Sequence, residues 1–288
     1  MTTEYTKHDQ DQEVTLLHFF NLFWAAKLNI FIVSTLFFLG SVYQAVNTEE
    51  VYTSYSLLKY VEKEPAEESG IESMLNLGQN SRELFGLSMQ QSVTYLQSRE
   101  VIYKFFDDYD VREHLFEESW DAQSQSWIDL TDVTVREWKA YETYLRDHLK
   151  VRLDPQTKLI NLSIVDRSPK KTALFIKGLI ETANRSAKDK FLFDIDHKIE
   201  VLKNSHEQYQ DLYSKDSLTM LIKKETSKKV SVENIDNFLF EFIDYPVIPE
   251  QRSAPNRTLM VLIGTGSGFL LALLIILAIE LFRERELK

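Results

Sequence analysis

The stretch "TLMVLIGTGSGFLLALLIILAI", residues Thr258–Ile279, contains no acidic or basic side chain. At a rise of 1.5 Å per helical residue, about 20 residues cover the roughly 30 Å hydrocarbon core of a bilayer. The stretch is therefore long and apolar enough to cross a membrane as a helix. It ends at Glu280, where the charged segment "ELFRERELK" begins.

A second, less hydrophobic block, "LNIFIVSTLFFLGSVYQAVNT", occupies Leu28–Thr48 and contains no Asp, Glu, Lys, Arg or His. The same arithmetic predicts a first membrane span. A buried core helix is the alternative for either block, but it is uncommon for uncharged runs of this length. A cleaved signal peptide is the alternative for the first block. Mostly polar residues precede it and no small-x-small cleavage site follows, which favours an uncleaved anchor.

Two spans place both ends of the chain on one side of the membrane, and the flanking charges indicate which side. Lys27 precedes the first span, whereas Glu49 and Glu50 follow it. Basic residues mark the cytoplasmic side of a span. The basic residues beyond the second span are Arg283, Arg285 and Lys288. Both tails are therefore expected in the cytoplasm.

The sequence thus predicts a membrane protein with two spans and a large domain outside the cytoplasm, which lies in the periplasm if the cell is a diderm bacterium. Its segments are a cytoplasmic tail over residues 1–27, the first span over 28–48, the periplasmic domain over 49–257, the second span over 258–279 and a cytoplasmic tail over 280–288. Arg252 and Arg257 favour the opposite orientation. However, an external loop of about 200 residues is translocated largely regardless of its charge.

Three segments of the middle region have the pattern of β-strands. Val51–Val61 and Phe238–Ile243 are rich in β-branched and aromatic residues, and Leu159–Val165 alternates apolar and polar positions. The first and third segments each adjoin a span. We therefore expect an α+β protein whose mixed sheet lies close to the membrane.

The rest of the middle region has helical periodicity. Met89–Phe116 predicts a helix pair. After Ser168, a plausible cap, Pro169 begins an apolar stripe with steps of three and four, and no proline or glycine interrupts Leu179–Val230. This pattern predicts one extended helix over about residues 169–229, about 90 Å long, that projects from the sheet.

The sequence contains few signs of chemistry. The net charge is -11 and no basic stripe occurs, which argues against nucleic acid as a partner. There is no cysteine and no H-E-x-x-H or G-x-S-x-G motif. The acidic cluster Asp107, Asp108 and Asp110 lacks EF-hand spacing, and a solvated helix end explains it better than a metal site. We expect no enzyme activity and no cofactor.

The glycines inside the second span allow two interpretations. "GTGSG" begins at Gly264, but Phe269 stands where a dinucleotide fingerprint needs its third glycine. Gly264 and Gly268 instead form a small-xxx-small pair that lets another helix approach closely. The expected partner is the first span of the same or an adjacent subunit. Simple tolerance of small residues in a membrane helix is the alternative.

Three of the six prolines, Pro246, Pro249 and Pro255, lie just before the second span. Proline fixes φ and biases the preceding residue towards extended conformations. We expect these prolines to keep the connector straight and to hold the strand end at a set distance from the membrane. The alternative is that they only end the strand.

Four segments together resemble a known family. They are "FFNLFWAAKLNIFIV" from Phe19, "YTSYSLL" from Tyr52, "YLQSREVI" from Tyr95 and "LINLSIVDRSPKKTALFIKGLIETAN" from Leu159. In their order, and with the proline-rich approach to the second span, they resemble polysaccharide co-polymerases of the chain-length-determinant (Wzz) family, of the O-antigen type without a kinase domain. In many members an aspartate and a proline are adjacent, whereas Arg167 and Ser168 separate them here.

The resemblance implies control of surface polysaccharide length, most often of lipopolysaccharide O-antigen, by a homo-oligomeric ring. The implied partners are the membrane polymerase, lipid-linked polysaccharide and the lipid bilayer. Alternatives are a regulator or export adaptor for a capsule, for an enterobacterial-common-antigen-like polymer or for an exopolysaccharide, and, in a different class, a two-span periplasmic sensor. The candidate residues are Leu96, Ser98, Arg99, Asp166, Pro169, Pro246, Pro249, Pro255, Arg257, Gly264 and Gly268.

Overall fold

The computed structural model of the chain describes residues 22–61, 88–128, 132–208 and 211–286. These residues form two compact units. The terminal unit combines the segment up to Glu50 with the segment from Ser253 onward, and the central unit is Val51–Arg252. The central unit combines helices with a sheet, as the predicted α+β class requires.

The terminal unit consists of two long helices, α1 over Lys27–Asn47 and α8 over Arg257–Glu286. Both contain a window long and apolar enough to cross a membrane, within Lys27–Asn47 and within Arg257–Glu280. A helix from the core of a soluble protein would be mostly buried. Only 6% and 17% of these two windows are buried, which disfavours the core-helix alternative for both.

The central unit is built on a four-stranded sheet with the strand order β4-β5-β1-β6, and a hairpin of two short strands, β2 and β3, forms a separate sheet. The bounds are Tyr52–Tyr60 for β1, Trp120–Asp121 for β2, Ser126–Trp127 for β3, Leu149–Leu153 for β4, Leu159–Asp166 for β5 and Phe240–Asp244 for β6. The three strands predicted from the sequence are β1, β5 and β6. Every neighbouring pair in the four-stranded sheet is antiparallel, so the prediction of a mixed sheet was wrong.

The chain enters and leaves the central unit at the same end of this sheet. Tyr52, at the start of β1, pairs with Asp166, and Tyr60, at the end of β1, pairs with Phe240. Because β6 runs opposite to β1, its last residue, Asp244, lies towards the end where β1 begins. Ser56 Oγ donates a hydrogen bond to the carbonyl oxygen of Asp244 at 2.6 Å, which fixes this arrangement.

The helices of the central unit pack on and beside the sheet. Their bounds are Met89–Leu96 for α2, Arg99–Asp108 for α3, Val111–Leu115 for α4, Val133–Thr143 for α5, Pro169–Gln208 for α6 and Leu212–Glu233 for α7, with a π-helical turn over Tyr144–His148 after α5. The predicted helix pair corresponds to α2 and α3. Ser88 caps α2 in a capping box with Gln91, since each side chain bonds the other residue's backbone N–H.

The prediction of one helix over about residues 169–229 was wrong, because α6 and α7 form an antiparallel hairpin. Asp211 caps the start of α7, accepting from the Ser214 backbone N–H at 2.8 Å. Lys229 on α7 forms an ion pair with Asp196 on α6 at 2.7 Å. At 40 residues, α6 extends about 60 Å rather than 90 Å. A single helix would have left the apolar stripe beyond the sheet without a partner, and the return of α7 covers part of it.

The main hydrophobic core lies between the sheet and the first half of α6. Phe175, Ile176, Leu179 and Ile180 on α6 are almost completely buried, and α3 contributes further buried side chains. Each such side chain stabilises the fold by about 1.5–3 kcal/mol relative to exposure. A Cβ on Gly178 would lie 2.5 Å from the ring of Tyr109, so a glycine is required where this ring packs on α6.

Candidate functional site

The two long helices of the terminal unit pack closely at the two predicted glycines. A Cβ on Gly264 would lie 1.7 Å from Ser41 Oγ, and a Cβ on Gly268 would lie 2.4 Å from Phe37 Cβ. Any larger residue at either position would force the helices apart. Of the two partners left open by the sequence, the helix that occupies this face is α1 of the same chain.

Arg257 lies at the end of this helix pair and is the first residue of α8. Its Nη2 lies 3.0 Å from Glu50 Oε1, and about a third of each side chain is exposed. Arg257 Nε has no hydrogen-bond partner in the described part of the chain. A partly exposed ion pair of this kind contributes about 0–1 kcal/mol to stability. Its main effect is therefore to fix where the two charges lie.

The proline-rich connector contains no helix between Asp244 and Asn256. Pro246 and Pro249 are partly buried and belong to the central unit, whereas Pro255 belongs to the terminal unit and follows a cis peptide bond. Ser54 Oγ donates to the Val247 carbonyl oxygen at 2.8 Å, which attaches the start of the connector to β1. Its proposed role in setting a distance stays a prediction.

Asp166 closes the turn between β5 and α6. Its side chain is 1% exposed, and its Oδ1 accepts from the Ser168 backbone N–H at 2.7 Å and lies 2.8 Å from His114 Nε2. Pro169 follows as the first residue of α6. Asp166 thus joins the end of β5, the start of α6 and α4.

Tyr144 is a buried neighbour of this turn. Its hydroxyl has no hydrogen-bond partner among the described residues. Burial raises the pKa of Tyr144 well above its ordinary value, and the negative charge of Asp166 adds to the shift. The hydroxyl therefore stays neutral and cannot act as a base.

The candidate residues Leu96, Ser98 and Arg99 occupy the turn between α2 and α3. Leu96 is completely buried, and Ser98 caps α3 by accepting from the Val101 backbone N–H at 3.4 Å. The Arg99 guanidinium stacks over the Trp138 ring on α5, 5.3 Å from its centre. This turn therefore positions α2 and α3 against α5.

Asn184 was missed by the sequence analysis, although it lies on the apolar face of α6. Its Oδ1 accepts from the backbone N–H groups of Leu239 and Phe240 at 2.8 and 2.9 Å, and its Nδ2 donates to the Phe240 carbonyl oxygen at 2.9 Å. The residue is 4% exposed. A polar amide in a stripe of apolar helical positions was the signal that could have identified it.

Arg112 was also missed and forms the centre of a second polar network. Its guanidinium donates to both carboxylate oxygens of Glu137 and to Asp107, while Trp127 Nε1 donates to Glu137 at 2.9 Å. The Arg112 residue is 8% exposed, and its guanidinium stacks on the rings of Phe106 and Trp120. This network holds the β2-β3 hairpin against α4 and α5.

Two of the three carboxylates in the acidic cluster of the sequence form ion pairs. Asp107 bonds Arg112, and Asp108 accepts from Arg185 and from Thr182. Asp110 begins the turn into α4 with a left-handed backbone at φ 51°. Among the described residues, no group of three or more His, Asp or Glu side chains is arranged to hold a metal ion.

No family model matches the sequence, and no curated protein matches it. Among solved structures, the chain is similar to a full-length bacterial polysaccharide co-polymerase, with 11% identity, a TM-score of 0.49, and coverage of 95% of this chain and 100% of that one. It is also similar to a fragment of the polysaccharide co-polymerase WzzB from Salmonella Typhimurium, with 13% identity, a TM-score of 0.32, and coverage of 72% and 100%.

A further similar structure is the periplasmic domain of a chimeric lipopolysaccharide O-antigen chain length regulator, with 12% identity and a TM-score of 0.27. That alignment covers 70% of this chain and 100% of the other. Identities and TM-scores this low transfer no residue role, so the roles above come from the geometry of this chain alone.

Proposed function

We propose that the chain regulates the length of a surface polysaccharide, the O-antigen of lipopolysaccharide, as an inner-membrane co-polymerase without catalytic chemistry of its own. Its sequence motifs support this function by their resemblance to chain-length determinants. In the structure the segment from Phe19 leads into α1, and the other three fall on β1, on the turn between α2 and α3, and on the β5-α6 junction. These three therefore mark parts that build the central unit rather than a reactive site.

The observation that carries this function is the pairing of β1 with β6. Only the four residues Thr48–Val51 separate α1 from β1, and the connector joins β6 to α8. Because β1 begins and β6 ends at the same end of the sheet, two membrane-spanning helices can follow from one side of the central unit. We propose that this side faces the membrane, that the central unit is periplasmic and that both tails are cytoplasmic.

The helical hairpin leaves from the opposite end of the sheet. Asn184 bonds the start of β6, and Lys188 Nζ donates to the carbonyl oxygens of Glu233 and Ile235 at 2.7 and 3.0 Å, so the hairpin begins where β6 begins. Beyond this point it has large exposed apolar side chains. These include Phe193, Tyr213 and Met220, which are 73%, 85% and 68% exposed.

Exposed apolar side chains mark an interaction surface where they lie together as a patch. Copies of the chain packed side by side through them would form the homo-oligomeric ring that the family resemblance implies. We propose that such a ring acts together with the polymerase on lipid-linked polysaccharide.

Deleting the gene and separating the surface polysaccharide on a gel tests the function. We expect the loss of a preferred length, with polymer still made, and its restoration by the wild-type gene on a plasmid. An absence of polymer outside the cell would instead indicate an export adaptor. An unchanged ladder would contradict length control and leave a sensor as the better interpretation. The polymer whose ladder changes, O-antigen, capsule or exopolysaccharide, identifies the substrate pathway.

A further inference from the structure

The two helices of the terminal unit line an open groove of about 940 Å³. Most of its lining is apolar, from Phe38, Val42 and Ala45 on α1 and from Val261, Leu262 and Phe269 on α8. The hydroxyl of Thr265 also lies along it but donates to the Val261 carbonyl oxygen at 2.7 Å within its own helix. The groove is therefore a long apolar surface beside two helices suited to a bilayer.

Gly266 forms part of this lining, and it differs from the two glycines that contact α1. A Cβ on Gly266 would meet no atom within 4 Å, whereas Cβ atoms on Gly264 and Gly268 would collide with α1. The small residue at position 266 is thus not required by packing inside this unit. It leaves the side of α8 open along the groove.

One end of the groove has a pair of opposite charges. Arg257 lines it, and Glu50 lies 3.0 Å from the Arg257 guanidinium. A guanidinium carries five N–H donors, and the ion pair with Glu50 is formed by Nη2, while about a third of the Arg257 side chain is exposed. Because the pair is neutral as a whole, it offers an anion no net attraction. It can, however, match a molecule that itself carries one charge of each sign.

We infer that the groove binds a phospholipid with a phosphoethanolamine head group. An acyl chain lies along the apolar lining, the phosphate accepts from Arg257, and the ammonium group donates to Glu50. The planar guanidinium fork suits a phosphate oxygen pair. A choline head group lacks the N–H donors for Glu50, and an anionic glycerol head group would place no positive charge there. This inference does not depend on the proposed role in polysaccharide length.

Native mass spectrometry of the full-length chain tests the inference. The protein is reconstituted in nanodiscs with equal amounts of phosphatidylethanolamine, phosphatidylglycerol and phosphatidylcholine, and the lipid retained on the released protein is counted. We expect phosphatidylethanolamine to dominate. In Arg257→Gln its retention should fall by about tenfold, the typical effect of losing a charge-assisted hydrogen bond. Equal retention of all three lipids by the wild-type protein would overturn the inference.

Two further variants distinguish this site from general adhesion of lipid. Gly266→Leu should reduce retention by filling the edge of the groove, whereas Gly40→Leu should not. Gly40 also has no atom within 4 Å of a built Cβ, but it does not line the groove. Glu50→Gln leaves Arg257 unbalanced and should shift the preference to phosphatidylglycerol. An unchanged preference in Glu50→Gln, or equal loss in both leucine variants, would contradict the assignment.

Discussion

Asn184 of α6 and Phe240 of β6 are joined by two hydrogen bonds, one from the Phe240 backbone N–H to Asn184 Oδ1 and one from Asn184 Nδ2 to the Phe240 carbonyl oxygen, both of 2.9 Å. Phe240 begins the strand that leads back to the second hydrophobic helix, and Asn184 lies in the middle of the helix that leads out to the hairpin. One side chain therefore sets the position of the hairpin relative to the sheet.

Asn184→Ala should destabilise the chain strongly. It leaves the Leu239 and Phe240 N–H groups without their partner, and each buried unsatisfied group costs about 1–3 kcal/mol. We expect a clear fall in the melting temperature of the full chain in detergent, measured by circular dichroism. Asn204→Ala, at an exposed position of the same helix, is the matched control and should change little. Equal melting temperatures for the two variants would refute the role of Asn184.

The glycine pair predicts a specific steric effect. Gly264→Leu with Gly268→Leu should separate α1 from α8, because even a Cβ at these positions would overlap Ser41 and Phe37. We expect the double variant to lose thermal stability in detergent and to fail to restore the polysaccharide length in a deletion strain. Gly40→Leu, where a Cβ would meet nothing within 4 Å, should behave as the wild type. Unaltered stability and function of the double variant would show that close packing is not needed.

Replacing Pro246, Pro249 and Pro255 together by alanine should change the polysaccharide length distribution. Without fixed φ angles the connector can bend or form helical turns. The end of β6 is then no longer held at a set distance from the membrane. The comparison requires equal amounts of protein, checked by immunoblot. A normal ladder at a normal protein level would favour the simpler role of ending the strand.

The raised pKa of Tyr109 predicts that the folded chain loses stability at alkaline pH. Burial, followed by the hydrogen bond it donates to Glu181 at 2.7 Å, raises the pKa of Tyr109 from 10.0 to about 12. A raised pKa in the folded state gives stability that is fully present below pH 10 and is lost as the pH rises to about 12, because the unfolded chain ionises first. Tyr109→Phe should therefore lose less stability between pH 10 and 12 than the wild type. Parallel pH profiles in urea unfolding would contradict this.

The sequence predicted the elements with strong local patterns. The helix α1 and the strands β1, β5 and β6 lie within two residues of their predicted bounds, because each depends on its own composition and period. The helix α8 begins one residue before the predicted second span and continues to Glu286, seven residues beyond its predicted end. Pro169 begins α6 as its position after Ser168 predicted. These features needed no knowledge of distant contacts.

The reversal of the chain between α6 and α7 and the antiparallel direction of the strands depend on contacts between residues that are far apart in the sequence. No glycine or proline marks the end of α6, and an aspartate cap at Asp211 is a weak local signal inside a helical pattern. The direction of β6 in the sheet depends on where α7 returns the chain. The sequence pattern of a strand does not specify this position. The roles of Asn184 and Arg112 likewise arise from partners far away in the sequence.

Membrane topology is the central claim, and it can be measured directly because the chain has no cysteine. Single variants Asn204→Cys and Lys288→Cys would be treated with a membrane-impermeant maleimide in cells with a permeabilised outer membrane. We predict that Asn204→Cys is labelled at once and that Lys288→Cys is labelled only after the inner membrane is opened. Labelling of Asn204→Cys only after opening would place the central unit in the cytoplasm and contradict the proposed function.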